Sequence, residues 1–162
     1  MEKDFYIPDE KFFGQDIKPY TPEIGHQHIV INGFPYDEGT RLNGGRVGGS
    51  AATSMFRKAL NSHEIYKKEG VDVYDSGDIA EDLPLEEAHQ SLYAKNMELL
   101  KNPNSLLCVF GGSNDQSFPN AQSLMDTYPK SRIAVINIDA HFDVRPLKDG
   151  KAHSGSPFRL LL

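Results

Sequence analysis

Two carboxylates and an imidazole fall within five residues in Asp139-Ala140-His141-Phe142-Asp143. Hard carboxylate oxygens with one imidazole suit a divalent ion such as manganese or zinc better than a thiolate-preferring metal. Asp139, His141 and Asp143 alternate, so on an extended backbone all three project from one face. A solvated acidic turn is the plainer reading, but a turn does not require that alternation. Nearby, Arg145 either pairs a substrate carboxylate through its two-pronged guanidinium or holds Asp143 or a loop in place. His153 reads as a loop surface residue more readily than as a proton shuttle. Asp78 reads as a stabiliser of a loop or helix start.

Those groups need a scaffold. Ser131 to Ile138 is predicted to be a buried strand, because its apolar residues are mostly β-branched and Pro129 stands just upstream. In an open α/β sheet, ligands bind beyond the carboxyl ends of strands, where Asp139 would sit. Further strands are expected over 28–34, 71–75 and 105–110. Helices are expected over 50–61, with Ser50 as N-cap and Met55, Phe56 and Leu60 on one side, and over 86–101 and 116–127. A glycine-rich loop is expected over 39–49. Strand and helix alternate at βαβ spacing, which implies a parallel sheet. Residues 1–27, with Pro8, Pro19 and Pro22, form an N-terminal arm that Phe5, Tyr6 and Phe12 tie down in places. Residues 28–162 form the rest of the domain. The apolar end, Phe158-Arg159-Leu160-Leu161-Leu162, is expected to open a helix whose body lies elsewhere.

At 162 residues, 38% apolar and 25% charged, the chain suits one globular domain. A net charge of -6 argues against nucleic acid as a partner, since binding phosphates needs a basic face. No apolar run approaches a membrane span and no signal-peptide segment opens the chain, so the expected compartment is the cytoplasm. Cys108, the single cysteine, is expected to be a buried strand residue.

Five stretches together resemble the ureohydrolase superfamily of arginase, agmatinase and formiminoglutamase. They are Gly33-Phe34-Pro35-Tyr36-Asp37-Glu38-Gly39, Asn43-Gly44-Gly45-Arg46-Val47-Gly48, Asp75-Ser76-Gly77-Asp78, Gly111-Gly112-Ser113-Asn114-Asp115 and Asp139-Ala140-His141-Phe142-Asp143. Asp143-Val144-Arg145 and Ser154-Gly155-Ser156-Pro157-Phe158-Arg159 look closest to the formiminoglutamase branch. The resemblance implies a three-layer α/β/α fold with a mostly parallel sheet, here incomplete and matching the N-terminal half only. It also implies a binuclear manganese centre that activates a hydroxide against a guanidinium or formimino carbon. A trimer or hexamer is implied too, with a small amidine or amino-acid-like ligand.

By this resemblance Asp139 bridges the two ions, Asp143 serves one and His141 the other. Asn114 stands at the family's first histidine position, and Ser154 at its substrate-side position. The Asp-x-Asp pair of a later strand has no counterpart after residue 143. An amide oxygen is a weaker manganese donor than an imidazole, so the expected site is impaired, binds manganese weakly and hydrolyses no arginine. A binding or regulatory role follows. The alternative is an active manganese-dependent C–N hydrolase once a second half supplies the acidic pair. A third reading, a Rossmann-like ligand binder with phosphate at Gly111-Gly112-Ser113, lacks a dinucleotide fingerprint and a P-loop lysine.

Overall fold

The computed structural model describes residues 13–62 and 71–162. The expected anchoring of Phe5, Tyr6 and Phe12 lies outside them. β2 (His28–Phe34) is the central strand, and its Ile-Val-Ile run suits a strand flanked on both edges. It pairs in parallel with β3 (Asp72–Asp78) on one side and β4 (Ser105–Gly111) on the other. The short β1 (Lys18–Pro19), inside the expected arm, adds to the far edge of β3, giving the order β1-β3-β2-β4.

Alternation along β2 sorts the helices into two layers. Gly33 faces Thr53 of α2 (Ala52–Leu60), whereas Phe34 faces His89 of α3 (Leu85–Leu100), with ring centroids 5.8 Å apart. On the same side as Phe34, Asn32 donates to Asn96 and Asn96 donates to Asn120 of α4 (Ser117–Thr127), both at 2.9 Å. This amide chain fixes α3 and α4 against the sheet at places where a hydrocarbon would leave partners unsatisfied. The core beneath α3 gathers Phe34, Tyr36, Ile79, Leu85, Ala88 and Leu92. Among the described residues, no helix is long and apolar enough to cross a membrane.

On the other face the attachment is largely ionic. Arg57 of α2 donates to both carboxylate oxygens of Asp75 and to Asp78, while Thr53 donates to Asp78 at 2.9 Å. Lys95 closes the same strand end by donating to the carbonyls of Ser76 and Asp78. Met55 and Phe56, expected with Leu60 on one side of this helix, are exposed, although Phe56 leans on Phe110. The buried residue of α2 is Thr53. Burial pushes the Asp75 carboxyl up, but Arg57 and the Gly77 N–H outweigh it and hold the group below its usual value. The unfolded chain therefore takes up this proton first as pH falls. Stability from Asp75 is full above the unfolded carboxylate pKa, about 4, and is lost as pH drops through the lower folded value. Melting temperature followed from pH 5 to pH 2.5 is expected to fall less steeply in Arg57→Met than in the parent.

Other expectations are corrected. Part of the glycine-rich loop coils into α1 (Glu38–Leu42), and Ser50 makes no side-chain cap: a 3-10 turn (Gly49–Ala51) leads into α2, whose N-cap is Ala51. Cys108 is exposed with Leu106, because on that face of β4 the helix α2 meets Phe110, through Phe56 and Arg57, and leaves the start of the strand open. The largest departure concerns 131–138. This segment is no strand: it pairs with none of the described strands, and Ile136 and Ile138 are 84% and 95% exposed. β-Branched residues favour a strand only when neighbouring strands supply hydrogen bonds and packing, and here none does.

Candidate metal centre

Asp139, His141 and Asp143 do converge, by a turn in place of the expected strand. Asp139 accepts the His141 backbone N–H at 2.7 Å, and its carboxylate stands 3.2 Å from His141 Nδ1. Asp143 then takes a left-handed backbone conformation, φ +52°, which swings its side chain inward. One donor atom from each residue lies within 4.8 Å of the others, with Asp139 and His141 exposed and Asp143 buried. Two carboxylates and an imidazole at that separation fit one divalent ion. Among the described residues no other such group of donors gathers.

Asn114 reaches the cluster from the 3-10 turn (Asn114–Gln116) after β4. Its Nδ2 donates to Asp143 Oδ2 at 2.7 Å and to the Ser154 carbonyl at 3.0 Å, while its Oδ1 accepts from Ser117 at 2.9 Å. The amide nitrogen, then, faces the site. Ser154 is held on all sides: its N–H donates to the Gly39 carbonyl and its hydroxyl accepts from Asn43. Arg145 makes no pair with Asp143. It donates to Asn43 Oδ1 at 3.2 Å, and its backbone N–H donates to the Gly155 carbonyl. Asn43 thereby links the two residues expected to meet a substrate.

His153 is a correction: it is buried, 4% exposed, where a surface residue was expected. Its ring takes the Gly155 N–H on Nδ1 and meets the Pro146 carbonyl with Nε2, so it braces the Ser154 turn from inside. The sequence reading also missed His89 and Asp115. Asp115 is fully buried beside Asn114, and its Oδ2 is 2.6 Å from His89 Nε2. A Cβ at Gly39 would run into Asp115 Oδ1, so this position must be glycine for α1 to approach the Asn114 turn. The helical spacing of Leu85, Ala88, His89, Leu92 and Asn96 on the buried face of α3 was the signal that His89 points inward. A hollow of about 780 Å³ lined by Tyr36, Asp37, Glu81 and Asp82 contains none of the candidate ligands.

Comparison with known proteins meets this geometry. Residues 27–162 match the Arginase family. Formimidoylglutamase from Chromobacterium violaceum is 38% identical over 138 residues, covering 85% of this chain and 43% of that protein. The crystal structure of Trypanosoma cruzi formiminoglutamase with Mn2+2 superposes with a TM-score of 0.76 at 41% identity, over 83% of this chain and 47% of that one. An Asn-to-His variant of that enzyme, also with Mn2+2, superposes equally well, over 82% of this chain and 46% of its own. The chain thus spans about half the length of the relatives it matches. With the motif order, the parallel sheet and the match agreeing, this chain belongs to the arginase family.

Proposed function

We propose that this chain carries one side of a manganese centre that hydrolyses a C–N bond of a linear amidine, formiminoglutamate being the leading substrate. The centre is complete only with a second half that brings an acidic pair. The observation carrying this reading is the convergence of Asp139, His141 and Asp143 beside the Ser154 turn. The similar Trypanosoma cruzi enzyme is described with manganese both as such and as an Asn-to-His variant, which supports the choice of ion. Alone, three protein donors and an amide turned nitrogen-first hold manganese weakly, and the 162-residue chain by itself does not hydrolyse arginine.

When bound, manganese supplies Lewis acidity that generates a nucleophilic water near neutral pH. Asp139, exposed and preset by the His141 N–H, would be the carboxylate shared within the centre, with His141 and Asp143 as further ligands. Asn43 orients the substrate side. It fixes the Ser154 oxygen, whose own hydrogen has no acceptor among the described residues, and one arm of the exposed Arg145 guanidinium. The remaining Arg145 N–H groups suit a substrate carboxylate.

The exposed 131–138 segment and the free edge of β4 are where the second half docks. Producing this chain together with the C-terminal half of the Chromobacterium violaceum relative tests the proposal. Expected are a stable complex, near-stoichiometric manganese and formamide release from formiminoglutamate. A complex that forms yet neither retains manganese nor releases formamide would overturn the hydrolase reading in favour of a binding or regulatory role.

A further inference from the structure

A cavity of about 370 Å³ opens between α3, α4 and the segment 147–160. Asp139, His141 and Asp143 take no part in its walls, and its volume suits a small molecule. Phe118, Leu147, Ala152 and Leu160 make those walls apolar. The polar groups left over are acceptors. Glu86, in the first turn of α3, and His89, one turn further on, both line the cavity, close enough for one head group to reach both. The His89 side chain is 9% exposed, its Nε2 stands 2.6 Å from Asp115 Oδ2, and its Nδ1 has no hydrogen-bond partner among the described residues. A neutral ring that turns Nε2–H toward a carboxylate leaves Nδ1 as an acceptor. A nearly buried acceptor without a partner calls for a donor. Two turns along α3 from Glu86, Tyr93 donates to Asp126 of α4, a second carboxylate in the lining, and Gln122 donates to the same oxygen. No lysine or arginine lines the cavity to offset the two charges, so an anionic ligand would meet like charge there. The geometry points to a binding site for a small primary ammonium ion with an aromatic or branched apolar body. The body fills the space between Phe118 and Leu160, and the head donates to Glu86 and His89.

This site does not depend on the proposed metal centre, and its test needs no manganese. The full 162-residue chain is titrated with 2-phenylethylammonium, the neutral 3-phenylpropan-1-ol and the anionic 3-phenylpropionate, and followed by protein nuclear magnetic resonance. The cation is expected to move the His89 ring, Phe118 and Leu160 signals and to bind roughly two- to fivefold tighter than the alcohol, with the anion weakest. Glu86→Gln, an exposed change, is expected to bring the cation down to the affinity of the alcohol and leave the alcohol unaffected. Ala152→Phe, which fills the hollow, is expected to abolish binding of all three; if it does not fold, Glu86→Gln decides. No movement at His89 and Leu160 up to several millimolar cation overturns the inference. So does equal affinity for cation and alcohol, or a preference for the cation that survives Glu86→Gln. A dimer that the probe dissociates would assign the cavity to a second copy of the chain instead. Probe binding lost on addition of the C-terminal half of the Chromobacterium violaceum relative would assign it to that half.

Discussion

Asp115→Ala is expected to cost about 1–3 kcal/mol, the usual consequence of leaving a buried polar group without its hydrogen-bond partner. Asp115 has no exposed surface and, among the described residues, its Oδ1 has no hydrogen-bond partner, while its Oδ2 meets His89 at 2.6 Å. Without the carboxylate, His89 stays enclosed between Phe34 and α4 with an unmatched ring nitrogen. In a chain of this size that loss lowers the melting temperature by roughly 2–12 °C. The turn bearing Asn114 loosens with it, because Asp115 is the next residue and lies inside that turn. A double-mutant cycle separates pairing from packing. Asp115→Leu combined with His89→Leu should lose less than the two single changes added together, since a buried pair replaced as a unit leaves no orphan. Additive losses would show that the two side chains are not coupled.

The second large effect is on metal, with folding left alone. Asp139→Ala removes the exposed carboxylate proposed as the shared ligand, whose hydrogen bonds among the described residues go to His141 two residues away. In the complemented protein, manganese affinity should fall at least 10–100-fold, the range seen for lesser losses around metal sites, and formamide release should fall with it. Melting without metal should stay within about 0.5 kcal/mol of the parent, as for surface changes in general. Retained manganese in this variant would remove Asp139 from the ligand set. Asp143→Ala makes the useful contrast, because Asp143 also binds Asn114 and is expected to lower both metal affinity and melting temperature.

What could be read in the amino-acid string follows how local each signal is. β2, β4 and α3 appear within a residue or so of their expected ends, since alternation and helical periodicity are written in consecutive residues. β3 runs on through Ser76 and Gly77, which look like a turn yet stay paired to β2 through a register shift near Gly33. The Asp139-His141-Asp143 grouping was visible too, although a turn and a left-handed Asp143 bring it together where an extended strand was expected. What failed depended on distant neighbours. Ile133 to Ile138 has every local property of a strand and lacks the partners that make one. His153 looked like a loop residue and is buried because Pro146, Gly155 and Ser156 close around it. The hydrogen-bond sense of Asn114 could not be read at all, being set by Ser117, Asp143 and Ser154 from three separate stretches.

The bare ribbon that carries Ile136 and Ile138, followed by Phe142 at 87% exposure, has a consequence for the protein in the tube. Exposed apolar backbone paired with none of the described strands is a seed for chain-to-chain stacking, which native folds ordinarily guard with charge, proline or a cover. Light scattering of the isolated chain should therefore climb with concentration, and Ile136→Lys with Ile138→Lys should suppress the climb while leaving ion-free melting unchanged. The same lysines should block the complementation proposed above, so the property that makes the chain sticky is the one that would let a partner half find it.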